Sequence, residues 1–406
     1  MTSRADVSPD EQLAILSRRC ERILTEEDLR AKLKRSAETG RPLRVKLGLD
    51  PTAPDVTLGH CVPLKVIRQF QDWGHKAVLI IGDYTARVGD PSGVNATRPM
   101  LSPEQIEANA ATYIEQVGRV LLTDPEHLEI RRNGEWLGKL SFADVLRLTS
   151  RKTVAQILER DDFRKRYDEG REIHLHELLY PLLQGFDSTA IEADIELGGS
   201  DQLFNNLVGR EFQQAEGQSP PNGQVVIVTP LLVGTDGKVK MSKSKGNYVA
   251  VTDPAGGDGG MFGKVMSLPD DVMPMYYRLL TEIPEPEYEA LIKRSPRDAK
   301  VRLAKEIIAQ FHPHAAAEAA ERDFMAATHG GVPSEIDELP VGPGPHGLVQ
   351  LLCKAGFTTS TSEAIRSIRQ GGVKLDGEKI EDPKAEVRVE GPKVLQLGKR
   401  KFVRLV

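Results

Sequence analysis

The sequence predicts an α/β fold: a mostly parallel sheet with helices between its strands, followed by a helical stretch and a small α+β unit. Three observations carry that expectation. Apolar runs of buried-strand type at 77–81 and 225–228 alternate with longer segments of helical periodicity. The 406 residues are 39% hydrophobic and 28% charged, enough chain to bury more than one core. A Gly- and Pro-rich stretch, 329–347, sets a compact final segment apart from the helices before it.

In chain order, residues 43–50 (LRVKLGLD) read as a strand entering a Gly/Pro loop. A helix follows from about Gly59 to Trp73, then the 77–81 strand and a helical segment at 103–122. The stretch 142–186 is mostly helical, with periodic Leu and Ile. Residues 190–197 (AIEADIEL) alternate like a strand, and a helix starts near Asp201. After the 225–228 strand, residues 270–327 read as helix throughout. In such open sheets ligands bind beyond the carboxyl ends of the strands, so the loops there are the place to seek chemistry. The expected domains are 1–252 for catalysis, 253–330 helical, a linker at 331–345, and 346–406.

Composition removes several classes. No apolar run approaches the roughly 18 residues of a membrane helix, and the N-terminal MTSRADVSPDEQ lacks a signal peptide's apolar core. Cys20, Cys61 and Cys353 are too few and too scattered for a metal cage or a disulfide framework. A cytoplasmic protein without membrane contact or bound structural metal is expected. The net charge of −5 hides an asymmetry: residues 350–406 carry twelve Lys and Arg against seven Asp and Glu. A basic tail on an acidic body suits a polyanionic partner.

Four groups of residues carry chemistry. Asp50-Pro51-Thr52-Ala53-Pro54-Asp55-Val56-Thr57-Leu58-Gly59-His60 lies between a strand and a helix. Pro63 fits without loss only in a first turn, which sets the helix start near Gly59 or His60 and points free N–H groups at the loop. Such an end binds phosphate. Gly59 admits a flat base and His60 can donate to a phosphate, although a plain helix start capped by Thr57 has the same look. Lys240-Met241-Ser242-Lys243-Ser244 supplies cations that can clamp a polyphosphate, or simply a solvated basic loop. Tyr180, Gln184 and Asp187 fall at i, i+4 and i+7, one face of a helix carrying a phenol, an amide and a carboxylate. Arg366 and Arg369, three apart on a helix and followed by a Gly-Gly turn and Lys374, make a basic ridge for backbone phosphates.

Taken together these motifs resemble the class I aminoacyl-tRNA synthetases. The second loop matches that family's KMSKS word letter for letter, whereas Thr-Leu-Gly-His stands where the family has His-x-Gly-His, so Thr57 replaces the first histidine. The Tyr180–Asp187 face resembles the substrate pocket of the tyrosyl-tRNA synthetases. Gly198-Gly199-Ser200-Asp201-Gln202 and Ile81-Gly82-Asp83-Tyr84-Thr85, with Gly89-Asp90-Pro91-Ser92, resemble its ribose and amino-group loops. The tail resembles the S4 RNA-binding fold. The resemblance runs in order over residues 10–406 and is closest to the bacterial tyrosyl enzymes.

What the resemblance implies is specific. The fold would be a Rossmann-like parallel-sheet catalytic domain, a helical domain and an S4-like domain. Asp90, Tyr180 and Gln184 would hold the ammonium of L-tyrosine, with Thr85 beside them, Gln202 near the carboxylate and Asp187 on the phenol. Asp50, Gly59, His60 and Asp201 would hold ATP, brought as its Mg²⁺ complex, while Lys240 and Lys243 act on its phosphates and Thr57 leaves one imidazole fewer there. Arg366, Arg369 and Lys374 would meet tRNA(Tyr), and the chain would be a homodimer. Lys46 stands where one branch of the family has a tyrosine beside the phenol, so another second partner is expected. Two rivals remain open on the residues: a nucleotidylyltransferase, which shares the Gly-His helix start, and an RNA-binding protein without catalysis.

Overall fold

A computed structural model describes residues 7–51, 54–91, 102–328, 336–398 and 401–406. The chain divides into two compact units, Met1–Thr252 with Pro269–Ala290, and Asp253–Leu268 with Leu291–Val406. Thr52, Ala53 and Ser92 of the loops above, and residues 331–335 of the expected linker, lie outside the described residues.

The first unit is built on a six-stranded sheet: β1 (Arg22–Leu24), β2 (Arg44–Leu49), β3 (Lys76–Ile81), β4 (Leu128–Arg132), β5 (Ile195–Gly199) and β6 (Val225–Thr229), in the order β1-β6-β5-β2-β3-β4. Only β1 runs antiparallel to its neighbour. β3 and β6 are apolar and buried along nearly their whole length, as strands covered by helices on both faces must be. From β2 the chain moves outward through β3 to β4, then returns to the other side of β2 as β5 and β6. The direction of winding therefore reverses between β2 and β5. At such a switch point the loops leaving the two strands part and open a crevice. Asp50 follows β2, Gly82 follows β3, and Ser200–Gln202 follows β5.

Two helices flank that crevice. Leu58–Asp72 crosses from β2 to β3, and Tyr180–Ala190 precedes β5 and packs on Leu203–Glu216. The latter pair shares an apolar cluster with Phe163, Leu182, Leu183, Val208 and Phe212. Two expectations beside that crevice shift, and the helix expected throughout 270–327 is broken at 281–284 and 309–313. The first helix begins at Leu58, so Pro63 lies inside it and cannot donate to the Gly59 carbonyl. The strand expected at 190–197 is β5 at Ile195–Gly199. The preceding helix runs on to Ala190, Glu192 turns at φ 51°, and Asp194 caps the turn by accepting the Arg44 N–H at 2.9 Å. Its alternation marks a helix end and a turn as well as a strand. β1 and β4, both edge strands without an apolar run, are additions.

The second unit contains the helices Met261–Met266, Pro296–Ile308 and His314–Thr328, which pack on one another. It also holds a five-stranded sheet ordered Glu378–Lys379, Val373–Leu375, Lys393–Leu397, Lys401–Leu405, Glu338–Leu339. The strand Glu338–Leu339, inside the expected linker, pairs in parallel with Lys401–Leu405. Helices Leu348–Lys354 and Thr361–Arg369 cover a core that includes Leu348, Leu351, Ile368, Leu395 and Leu405.

Candidate active site

The two lysine- and histidine-bearing loops are joined directly. Thr57 pairs with Ala250 in an antiparallel bridge. The N–H of Leu58 donates to the Val249 carbonyl and that of Val251 to Val56, both at 2.9 Å. The chain that leaves the KMSKS loop is therefore a short strand against the start of the Leu58–Asp72 helix. The loop is shaped by Asn247, whose side chain accepts from the Ser242 N–H at 2.8 Å and donates to Asp236 at 2.9 Å. Lys240 reaches Asp201 at 2.7 Å, and Lys243 reaches the Tyr113 hydroxyl at 2.9 Å. Burial brings the Lys243 ammonium down to about 8.

Thr57 is not an inert replacement for histidine. Its backbone N–H donates to His60 Nδ1 at 3.1 Å, and its hydroxyl lies 2.8 Å from the same nitrogen. An amide can only donate, so Nδ1 accepts, and the proton of the neutral ring is on Nε2. Burial, and then the Lys243 ammonium, push His60 down to about 4, so the neutral form is the one present near pH 7. The ring thus keeps one N–H to offer a ligand.

Beside these loops lies an acidic pocket. Asp50 accepts from the Tyr180 hydroxyl and from Thr85, each at 2.8 Å. Thr85 accepts from Asn133 at 3.0 Å, and the same amide reaches Asp187 at 3.2 Å. The other Asp187 oxygen accepts from Trp136 Nε1 at 2.7 Å. Tyr180 and Asp187, two turns apart on one helix, are thereby linked through β2, β3 and the turn after β4. Gly82 is required for this: a Cβ there would sit 1.9 Å from the Asp50 carboxylate. On the other side, Asn205 donates to Gln184 and Gln202, each at 2.9 Å. Gln202 donates to Asp90 at 2.8 Å, and Arg160 pairs with Asp90 at 3.1 Å. All six residues expected to hold tyrosine, Thr85, Asp90, Tyr180, Gln184, Asp187 and Gln202, belong to these two hydrogen-bonded chains. Burial, reinforced by Asp90, pushes Asp50 up to about 7. Burial pushes Asp187 up to about 6, against the pull of Lys46.

Lys46 does not face this pocket as a phenol partner. It is fully buried, paired with Glu196 at 2.8 Å, and it donates to Ser188 at 2.7 Å and to the Gln184 carbonyl at 3.1 Å. The register explains the pairing, since Lys46 of β2 lies directly opposite Glu196 of β5. Lys46 thus pins the Tyr180–Ala190 helix to the sheet. The side chains that do touch Asp187 are Asn133 and Trp136.

Arg160, Asn133, Trp136 and Tyr113 are absent from the sequence reading. Arg160 sits in a run of charges (ERDDFRKR) that looks solvated, yet it is 4% exposed. Nothing in its local pattern marks it. Asn133-Gly134-Glu135-Trp136 reads as a turn, and only its place after β4 gives it a role. In the second unit, Arg366 and Arg369 occupy the last turn of Thr361–Arg369 and are exposed, with Lys374 on the following strand. Among the described residues no group of three or more His, Cys, Asp and Glu could hold a metal ion, and no helix is long and apolar enough to cross a membrane.

A parallel sheet with a Gly-His helix start and a KMSKS loop at its switch point is the architecture of a nucleotide-activating enzyme, and comparison gives the class. Residues 38–328 match the family of tRNA synthetases class I (W and Y), residues 347–391 match the S4 domain, and the chain belongs to that synthetase family. The chain is 51% identical to the tyrosine–tRNA ligase of Moorella thermoacetica, over 97% of this chain and 95% of that one. It is 49% identical to that of Thermotoga maritima, over 98% of each. Among solved structures, a truncated Aspergillus nidulans mitochondrial tyrosyl-tRNA synthetase superposes with TM-score 0.63 at 22% identity, covering 78% of this chain and 93% of that one. The Aeropyrum pernix tyrosyl-tRNA synthetase gives 0.60 at 22% identity, covering 78% and 98%.

Proposed function

We propose that this chain is a tyrosine–tRNA ligase. It joins L-tyrosine to ATP, releasing pyrophosphate, and passes the tyrosyl group from the adenylate to the 3′ end of tRNA(Tyr). The observation that carries the reading is the junction of the two loops, Thr57 against Ala250, beside a pocket holding the carboxylates of Asp50, Asp90 and Asp187, the first two partly buried and the last buried. An acidic pocket next to a cationic, N–H-rich rim suits a substrate with an ammonium at one end and a carboxylate that attacks a phosphate.

The roles are those that the resemblance to the tyrosyl-tRNA synthetases implies. Asp90, Tyr180 and Gln184 take the ammonium, with Thr85 steadying Asp50, while Gln202 meets the carboxylate. Asp187 accepts from the phenol, and Asn133 and Trp136 hold it in place. Asp50, Gly59, His60 and Asp201 take ATP, which arrives as its Mg²⁺ complex. When the tyrosine carboxylate attacks the α-phosphate, negative charge grows on the five-coordinate phosphorus. Lys240, Lys243 and the Nε2–H of His60 meet that charge, and Thr57 steadies the imidazole. No side chain forms a covalent bond; positioning and fixed cations lower the barrier.

Residues 1–252 form the catalytic domain and 253–330 a helical domain on the tRNA side. The segment 331–345, whose Glu338–Leu339 strand joins the sheet of the final domain, leads to an RNA-binding domain at 346–406, where Arg366, Arg369 and Lys374 contact backbone phosphates. The enzyme works in the cytoplasm as a homodimer. Phe142, Leu146, Val154 and Leu175, all exposed apolar side chains between β4 and β5, support a subunit contact there. The test is charging: purified protein with ATP, Mg²⁺ and labelled tyrosine loads tRNA(Tyr), and failure to load it refutes the reading.

A further inference from the structure

One helix touches the loop before the Gly-His helix start, His60 and Lys243, and nothing above assigns it a role. Pro103–Val117 presents Asn109, Thr112, Tyr113 and Gln116 on one face, at i, i+3, i+4 and i+7. Three of them hold the loop that leads into the Gly-His helix start. Asn109 donates to the Pro51 carbonyl at 2.9 Å, and the Thr112 hydroxyl lies 2.8 Å from that of Pro54. Gln116 donates to the Pro54 carbonyl and accepts from the Val56 N–H, both at 2.7 Å.

The fourth, Tyr113, is 2% exposed and meets both signature motifs. The His60 ring stands edge-on to it with centroids 6.2 Å apart. The Lys243 ammonium lies 5.0 Å from the center of the Tyr113 ring and donates to its hydroxyl at 2.9 Å. At these two distances the ammonium sits beyond the hydroxyl end of the ring, so the hydrogen bond to the hydroxyl is the contact that holds it. We propose that Tyr113 is a positioning residue that seats the Lys243 ammonium beside His60, so that the KMSKS loop is already placed when ATP binds.

The inference rests on reading Lys243 as a phosphate-binding cation. On that reading, Lys243 exchanges the Tyr113 hydroxyl for a phosphate oxygen when ATP binds. A long, flexible ammonium would otherwise have to be ordered at the moment of reaction, and ordering such a side chain costs free energy. Its proximity to His60 is also visible in the imidazole, which the Lys243 charge helps to keep neutral.

The test is a double-variant cycle in ATP–pyrophosphate exchange, with tyrosine affinity measured separately on the full chain. Tyr113→Leu lowers the exchange rate by about tenfold, the scale of one hydrogen bond from a charged donor, without changing the dissociation constant for tyrosine. Tyr113→Phe, which removes only the hydroxyl, lowers the rate to a similar extent, and a parent rate there overturns the proposal. Tyr113→Leu combined with Lys243→Ala is no slower than Lys243→Ala alone, since both remove one interaction. Full exchange by Tyr113→Leu, or effects that multiply in the double variant, overturns the proposal. Loss of tyrosine affinity in Tyr113→Leu does so too, because the change then acts on the whole pocket. Normal exchange by Lys243→Ala instead refutes the reading of the loop, and the proposal with it.

Discussion

Asp187 lies at the bottom of the pocket with both oxygens already held by protein donors, Asn133 and Trp136. A phenol arriving there adds a charge-assisted hydrogen bond. A phenyl ring would bury the same carboxylate without one, and that desolvation is the basis of discrimination. Asp187→Ala should therefore narrow the preference for tyrosine over phenylalanine by at least about tenfold, or 1.4 kcal/mol, in exchange kinetics. Its ionisation adds a pH dependence with a definite sign. Burial raises it from 3.8 to about 6, so the charged partner is present above about 6 and is lost as the pH falls through that value. The dissociation constant for tyrosine should rise below pH 6, and Asp187→Asn should flatten that branch. In the ligand-free fold the same shift works the other way: stability falls as pH rises from 3.8 to about 6, and measured unfolding free energy should show it.

Thr57 gives a sharper expectation than its motif alone. Replacement by histidine would restore an imidazole but remove the hydroxyl 2.8 Å from His60 Nδ1. Thr57→His should not raise the rate of adenylate formation, and Thr57→Val should lower it, both read by single-turnover ATP consumption. A gain from histidine would mean that the second hydrogen bond to His60 contributes nothing.

At the scale of elements, the strands that could be read from sequence are those buried on both faces. β3 and β6 are continuous apolar runs, and the runs exist because helices cover both sides. β1 and β4 lie at the two edges, carry exposed or half-buried residues, and have no such pattern. The site divides similarly. Residues in fixed local words, such as Gly59-His60 and Lys240–Ser244, are legible because the local backbone does the work. Arg160, Asn133 and Tyr113 act only through contacts made across the fold, and their neighbours in sequence say nothing of it. Lys46 is intermediate: its departure from one branch of the family is visible in sequence, but its partner Glu196 appears only once β2 and β5 lie in register. That pair fastens the substrate helix to the sheet. Lys46→Met should cost about 3–5 kcal/mol in urea unfolding by leaving Glu196 buried and unpaired. A loss below about 1 kcal/mol would show that Ser188 and Gln224, which both donate to the Glu196 carboxylate, suffice for it.

For the whole molecule, chemistry and RNA contact are assigned to different stretches of chain. The S4-like segment has its own apolar core and carries the basic excess. Removing residues 346–406 should leave ATP–pyrophosphate exchange near the parent rate while tRNA charging collapses. Binding of tRNA by the truncated chain should also depend less steeply on salt, since fewer phosphates are neutralised. Equal loss of both activities would place the tail inside the catalytic machinery.

The central claim is that the acidic pocket and the joined loops form one site that activates tyrosine. It is tested most directly by ATP–pyrophosphate exchange measured separately with each of the twenty amino acids. The account predicts exchange with tyrosine, abolished or greatly slowed by Lys243→Ala, and far weaker exchange with phenylalanine. Exchange driven by another amino acid, or none with tyrosine, would contradict it.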